Sequence, residues 1–351
     1  MNDTKNLLYR IRSGSASWSD FSSFLKLDSK ELKPYFLFSQ NITKKNFNNT
    51  LKIYNPSKKF PAISITGSEC SLHCEHCSEK YLKGMKPILT NYDLERFLIE
   101  HARNNGIGAL ISGGCNPDGT VPLKNFLDTV KKVKKKSNLV FNTHTGLLDE
   151  ETAQKLAEAN IDIVSFDINL DKEIIENIYH LDKDINDYKH AVELLKKYKL
   201  NIVPHICIGL YYGKLHKELE SIKFIKEAEI NPSLIVLIAL IPPKSSKGKF
   251  QRPNPIDIAK VIAVTRFVFP YTEISLGCMR PRGVIKTEIE KYAIKAGINR
   301  IELPSPDTLK WLKSTNPEIN FKFFSACCAI PSEYEPFAKS KNSDIKRYLS
   351  I

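Results

Sequence analysis

Short apolar or β-branched runs recur along the chain at Phe60–Thr66, Ala109–Ser112, Leu139–Thr143, Ile161–Phe166, Ile202–Gly209, Leu234–Ile241, Glu273–Gly277 and Arg300–Leu303. Between them lie stretches with apolar positions three and four apart: Tyr92–Arg103, Glu151–Asn160, Tyr188–Lys199, Lys217–Glu229, Ile256–Phe269 and Lys286–Ala296. The first pattern predicts buried strands and the second predicts helices with one apolar face. Strands that alternate with helices imply a parallel sheet, because each return crossing is made by a helix. Eight such strands predict an α/β fold, a parallel (βα)8 TIM-type barrel. The last two runs are short, so an open or partial barrel is the alternative. The periodicity divides the chain into residues 1–59, an N-terminal helical extension (helical over Leu7–Tyr35) with a polar linker at Asn41–Asn55; residues 60–316, the barrel; and residues 317–351, a C-terminal segment with Cys327-Cys328 and a polar tail from about Ser332.

Composition narrows the class. A chain of 351 residues can bury a large core. It has no apolar run of about 18 residues, so a membrane span is not expected. The start, Met-Asn-Asp-Thr-Lys-Asn, lacks a basic-then-apolar leader, and a cytoplasmic protein is expected. Eight cysteines in such a chain suggest metal or redox chemistry rather than a disulfide framework. The net charge is +13, from 52 basic and 39 acidic residues. Its densest run, Lys131–Lys136, falls at the end of a predicted helix, where cations offset the helix dipole. No aromatic residues alternate with these lysines to stack on bases, so a solvated helix face is favoured over a nucleic-acid site.

The candidate chemistry is concentrated in Cys70, Cys74 and Cys77, within GSECSLHCEHCSEKYLKG. The spacing Cys-x3-Cys-x2-Cys offers three soft thiolates on one short loop, as an iron–sulfur cluster requires, and leaves one iron without a cysteine. Such an iron can bind a substrate or cosubstrate. On spacing alone a zinc knuckle completed by His73 or His76 is the alternative. The preceding Phe60–Thr66 reads as a buried strand ended by Gly67.

A strand that delivers this cysteine loop at the head of a βα series resembles the radical S-adenosylmethionine (SAM) superfamily. The resemblance implies that Cys70, Cys74 and Cys77 ligate a 4Fe–4S cluster and that SAM chelates the fourth iron. His76 then takes the position near the adenine. Gly113 and Gly114, after the second strand, match the segment that binds the methionyl amine, with Cys115 standing where a glutamate is usual. Asp167 and Asn169, in Ser165-Phe166-Asp167-Ile168-Asn169, match positions that reach the ribose; capping of the next helix is the plainer alternative. Ile208, in His205-Ile206-Cys207-Ile208-Gly209-Leu210, matches a residue flanking the adenine, and the acidic residue usual after that Gly-Leu pair is replaced by Tyr211-Tyr212. The implied activity is reductive cleavage of SAM to a 5′-deoxyadenosyl radical that abstracts hydrogen from an unactivated carbon.

The run Leu276-Gly277-Cys278-Met279-Arg280-Pro281-Arg282-Gly283 resembles the biotin synthase-like branch, with Cys278 where biotin synthase has an arginine on its auxiliary cluster. The resemblance implies a second iron–sulfur cluster drawn from Cys115, Cys278, Cys327 and Cys328; buried structural cysteines are the alternative, which Cys207 fits best. Arg280 and Arg282 are candidates for clamping a substrate carboxylate, or equally for anchoring the loop to acidic neighbours. His144, at the third strand's end, is a candidate pocket residue or a hydrogen-bonded core histidine. A second cluster implies sulfur insertion, hence a sulfurtransferase. With the Cys327-Cys328 segment the chain is similar to a subunit of the archaeal two-component lipoyl synthases; the Cys-x4-Cys-x5-Cys run of the single-chain lipoyl synthase is absent. The implied partners are a small-molecule or carrier-protein-bound acyl substrate, an electron donor such as ferredoxin or flavodoxin, and a second radical SAM subunit, with no membrane. Methylation or carbon-skeleton rearrangement without a second cluster is the rival within the class, and a cluster-binding or RNA-binding scaffold the rival outside it.

Overall fold

The structure, a computed structural model, describes residues 2–244 and 248–341. Its strands are β1 (Thr50–Tyr54), β2 (Ala62–Ser64), β3 (Lys86–Pro87), β4 (Gly108–Ser112), β5 (Val140–His144), β6 (Ile163–Asp167), β7 (Ile202–Ile208), β8 (Leu234–Ala239), β9 (Glu273–Leu276), β10 (Arg300–Glu302) and β11 (Asn320–Phe324). They form one sheet in the order β11-β1-β10-β9-β8-β7-β6-β5-β4-β2-β3, with parallel ladders throughout. The eight predicted strands are β2 and β4 to β10, adjacent in chain order, with a helix outside nearly every crossing. Among the described residues no ladder joins β2 to β10, so the curled sheet stays open. It is a partial α/β barrel with a helical N-terminus, the open alternative of the sequence reading.

Three strands were not predicted, β1, β3 and β11, and they form the ends of the sheet. β1 lies in the stretch read as a polar linker. Its Leu51 and Ile53 are buried on one face, while Lys52 and Tyr54 point to the other. Five residues of strict alternation are a strand whatever the surrounding asparagines suggest. β1 pairs with β10 on one side and β11 on the other. The expected polar tail is also partly structured. Residues 325–340 fold back under the barrel, Arg300 Nη2 donating to the Ile330 carbonyl at 2.6 Å and Tyr54 Oη to Glu335 at 2.6 Å. The rest of that tail, from 342, lies outside the described residues.

Pleating sorts each strand's side chains to two faces. Ile202, Ile206 and Ile208 of β7, Ile235 and Leu237 of β8, and Ile274 and Leu276 of β9 face outward, into the core shared with the helices. The alternate residues face the interior. There Val140, Ile163, Val203, Leu234 and Val236 pack against Ala326, Cys328, Ala329 and Ile330 of the C-terminal segment. Further along the same inward rows stand Asn142, Ser165, His205, Ser275 and Glu302, then His144, Asp167 and Cys207. The interior is thus apolar at the strand starts and polar at their C-terminal ends.

The N-terminal helices Trp18–Leu25 and Lys33–Asn46 cover helix Pro255–Val268, with Phe24 and Phe267 edge to face at 5.8 Å. That helix is sandwiched between them and the sheet, and so carries apolar residues nearly all round. The lysine run ends helix Leu127–Lys134 as expected, and its members pair with Glu158, Asp162 and Glu95. A cavity of about 730 Å³ opens outside the barrel, between Lys33–Asn46 and the helices Val284–Lys295 and Pro306–Thr315; no cysteine lines it.

Candidate active site

The cysteine loop leaves β2 through Gly67, in left-handed backbone at φ +64°, and is held by short hydrogen bonds. Thr66 Oγ1 donates to the Glu69 carbonyl at 2.9 Å and accepts from Gly114 N at 2.7 Å. Ser71 N donates to the Cys115 carbonyl at 2.8 Å, and Glu75 N to Ile178 O at 2.9 Å. The loop is thereby stitched to the end of β4 and to Ile178 at the end of helix Lys172–Asn177, and its three thiols come near enough to shift one another's ionisation. Hydrogen bonding from Cys115, with N–H groups of Leu72, Cys115 and His73, pulls the Cys70 thiol down to about 5 against the effect of burial. Cys115 N reaches Cys70 Sγ at 3.3 Å. The Cys77 thiol is lowered by its hydrogen bond with Cys74, whose own thiol is pushed up by Cys77 and by burial.

Gly114 is where the chain can come this close. A Cβ there would sit 1.9 Å from the Glu69 carbonyl and 2.6 Å from Cys70 Cβ. Neither histidine of the loop completes a zinc knuckle. His73 is exposed and bound to Glu79 at 2.6 Å, while His76 packs against Tyr179 at 5.2 Å between ring centres. Burial lowers His76 to about 4, and its Nδ1 has no hydrogen-bond partner. Convergent thiols, a glycine cradle and an orphaned ring nitrogen beside them fit a 4Fe–4S cluster with an adenine-bearing ligand at its open iron.

Asp167 and Asn169 stand beside this loop at the end of β6. Asp167 has 55% of its side-chain surface accessible, yet desolvation raises its carboxyl. Both hold for a group on the wall of a deep concavity. Asn169 is buried with its Nδ2 unpartnered, a donor left for a ligand rather than used as a helix cap; Asp171 caps the following turn. His144 Nδ1 is 4.0 Å from Asp167, and its ring meets that of His205 at 4.9 Å. His205 Nδ1 donates to the Val203 carbonyl at 3.0 Å, which leaves Nε2 as the free acceptor. Ile208 corrects the sequence reading: it is fully buried on the outer face against the helices, and strand alternation puts Cys207 on the interior wall instead. The acidic residue missing after Gly209-Leu210 is supplied from further along the chain. Glu218 is buried and accepts the Gly209 N–H at 2.8 Å and that of His216 at 2.7 Å.

Residues 64–225 match the Radical SAM superfamily. The chain belongs to the radical SAM superfamily. Within it the chain falls in the biotin synthase-like branch. It is 26% identical over 305 residues to the biotin synthase of Buchnera aphidicola subsp. Schizaphis graminum, covering 83% of this chain and 84% of that one. It is 25% identical over 228 residues to that of Streptococcus agalactiae serotype III, covering 62% and 66%. The fold is similar to the FeFe-hydrogenase maturase from Carboxydothermus hydrogenoformans (TM-score 0.66, 16% identity, 86% of this chain and 70% of that one). It is also similar to methylornithine synthase (TM-score 0.61, 17% identity, 86% and 87%). This radical SAM protein is an enzyme whose cofactors are a 4Fe–4S cluster and SAM. Among its described residues, no helix is long and apolar enough to cross a membrane.

The radical SAM chain carries a second sulfur group. Cys278 follows β9, Glu302 ends β10, and Cys327-Cys328 lie in the segment folded back into the interior. The ligand atoms of Glu302, Cys327 and Cys328 all lie within 4.8 Å of one another. Cys278, exposed after β9, lies outside that 4.8 Å group, though close enough for Glu302 and Cys327 to add to the effect of burial in raising its thiol. Cys115 does not join them: it sits against Cys70, as a fourth thiol of the first group.

For Arg280 the structure takes the anchoring alternative over the substrate clamp. It is 2% exposed and donates to Glu290 Oε1 at 2.6 Å, to Gly277 O at 2.6 Å and to Glu302 O at 2.7 Å. It anchors the loop and is not free to clamp a substrate. Arg282 is exposed nearby. Two residues of the site were missed from sequence: Glu302, an isolated acid in a short strand, and Tyr81, whose phenol is raised by burial first and then by Cys207, Cys77 and Cys278 around it. No local pattern marks either one.

Proposed function

We propose that this radical SAM enzyme inserts sulfur at an unactivated carbon of an aliphatic substrate, in the cytoplasm. The observation that carries the reading is the second sulfur group, Cys278 with Cys327 and Cys328 beside Glu302, facing the same interior as the Cys70, Cys74 and Cys77 loop. A barrel that only cleaves SAM needs one set of thiols. Two sets supply one centre that generates the radical and one that can donate sulfur. In this reading Cys70, Cys74 and Cys77 hold the SAM-binding cluster. The Gly113-Gly114 backbone, Asp167 and Asn169 hold SAM, with Cys207 and Tyr179 toward the adenine. His144 and His205 line the interior, where the substrate chain would lie. The similarity to biotin synthases over most of the chain supports the same class.

The substrates to test are dethiobiotin and an octanoyl chain on a carrier-protein lysine, the latter also in the presence of a second radical SAM subunit. Each is incubated anaerobically with SAM and a ferredoxin- or flavodoxin-type reductant. Formation of 5′-deoxyadenosine together with a thiolated product is expected. A reconstituted protein that binds only about four irons per chain, and gives 5′-deoxyadenosine without sulfur in any product, would overturn the proposal.

A further inference from the structure

Five glutamates are buried among the described residues: Glu218, Glu273, Glu290, Glu302 and Glu335. A buried carboxylate is costly unless it is paired or well hydrogen-bonded. Four of them are. Glu273 binds Lys52 at 2.6 Å and Arg300 at 2.8 Å. Glu290 binds Arg280 at 2.6 Å, and Glu335 binds Lys52 at 2.8 Å and the Tyr54 hydroxyl at 2.6 Å. Glu218 accepts two main-chain N–H groups at 2.8 and 2.7 Å.

Glu302 is the exception. It is 4% exposed, and among the described residues its carboxylate makes no ion pair. Its hydrogen bonds among those residues come from Cys328 alone, from the main-chain N–H at 3.3 Å on Oε2 and from the thiol, with Arg280 attracting it only at a distance. Arg280 hydrogen-bonds Glu302 only through its main-chain carbonyl; its two Nη groups also serve Glu290, Gly277 and Leu303, and Nε has no partner among the described residues. What lies beside this carboxylate is sulfur: the Cys327 and Cys328 ligand atoms within 4.8 Å, with the Cys278 thiol further out but near enough to feel Glu302 and Cys327. The position is well fixed. β10 is held between β9 and β1, and the Arg280 hydrogen bonds to the carbonyls of Glu302 and Leu303 pin the strand end where the chain turns at Leu303, φ +46°.

We infer that Glu302 is an oxygen ligand of the second metal centre, completing with Cys278, Cys327 and Cys328 a three-thiolate, one-carboxylate donor set. The missing cation partner of Glu302 is then the metal itself. Three thiolates suit an iron–sulfur cluster as they suit zinc, and one harder, more weakly held carboxylate gives such a cluster a ligand that is easier to displace than a fourth cysteine. The inference rests on the second centre proposed above, and extends it by naming a ligand that no cysteine motif contains.

The test compares full-length wild type, Glu302→Gln, Glu302→Cys and Cys327→Ala/Cys328→Ala after anaerobic reconstitution with iron and sulfide. Iron and sulfide are counted, and Mössbauer spectra are recorded with 57Fe. Glu302→Gln keeps the shape and the acceptor for Cys328 N–H but loses the anionic ligand. It is expected to lose the iron bound beyond the first cluster, as the double cysteine variant does, while its 4Fe–4S signal and circular dichroism stay as in wild type. Glu302→Cys is expected to regain that iron with the signature of an added thiolate. The inference is overturned if Glu302→Gln retains wild-type iron content and Mössbauer parameters, even though the double cysteine variant loses the second centre. If wild type itself binds only about four irons, the sulfur-insertion reading falls, and this inference with it.

Discussion

Replacing Arg280 by methionine separates an anchoring residue from a substrate clamp. Arg280 and Glu290 are 2% and 0% exposed and meet at 2.6 Å. Breaking a buried pair from one side costs about 3–5 kcal/mol, because the remaining charge stays buried without its partner. Glu290 would keep the Ser305 N–H at 2.8 Å, the Thr308 hydroxyl at 2.7 Å and Lys286 at 3.8 Å. These put the expected loss at the lower end, about 3 kcal/mol. For a chain of this size each kcal/mol moves the melting temperature by roughly 2 °C, so a drop of roughly 6 °C is expected. Thermal unfolding followed by far-ultraviolet circular dichroism measures it directly. The double variant Arg280→Met/Glu290→Leu removes both charges and is expected to recover much of the loss, since a hydrophobic replacement of the whole pair is far less costly. If Arg280→Met melted within about 1 °C of wild type and lost only activity, the anchoring account would be refuted and the residue would belong to substrate binding.

Three further outcomes follow from the site. Gly114→Ala drives a Cβ to 1.9 Å from the Glu69 carbonyl, so the cysteine loop cannot seat; the variant should stay folded but fail to assemble the SAM-binding cluster, and a normal four-iron spectrum would contradict this. Cys115→Ala keeps the main-chain N–H that reaches Cys70 Sγ at 3.3 Å, so the SAM-binding cluster should still form, with about four irons by iron counting. Loss of that cluster would instead make Cys115 a ligand. His205 is held at about 4, below its usual 6.5, chiefly by burial, so the fold binds the neutral ring. The stabilising effect is complete above pH 6.5 and is lost as pH falls through about 4, because the unfolded chain takes up the proton first. His205→Asn should flatten the stability profile across that window by up to about 3 kcal/mol, and an unchanged slope in denaturant titrations at pH 7 and pH 4.5 would count against it.

Much of this architecture is written in local periodicity. Runs such as Leu234–Ala239 alternate between a helix-facing and an interior row, and stretches such as Ile185–Lys197 repeat at helical spacing, so strands and helices could be placed within a few residues. β1 was hidden because Asn and Lys around it outweighed a five-residue alternation, and a strand at a sheet end is defined as much by its neighbours as by itself. The cysteine triplet was equally legible, since three thiolates on one loop carry their meaning in their spacing. Ile208 shows the limit of reading by motif: a shift of one residue along a strand moves a side chain from the interior to the helices.

The sequence by itself determined the parallel α/β order, the Cys70, Cys74 and Cys77 loop at its head, and the glycines that let the loop close, because each depends on residues near one another in the chain. Only the tertiary structure decided which distant residues share a space. It set Cys115 against Cys70 rather than Cys278, took Arg280 for Glu290, returned Glu218 to Gly209, and left Glu302 unpaired among Cys327 and Cys328. Those pairings join strands and loops from 9 to 45 residues apart, and the strength of a buried charge or thiol is set by what surrounds it, which no local pattern records.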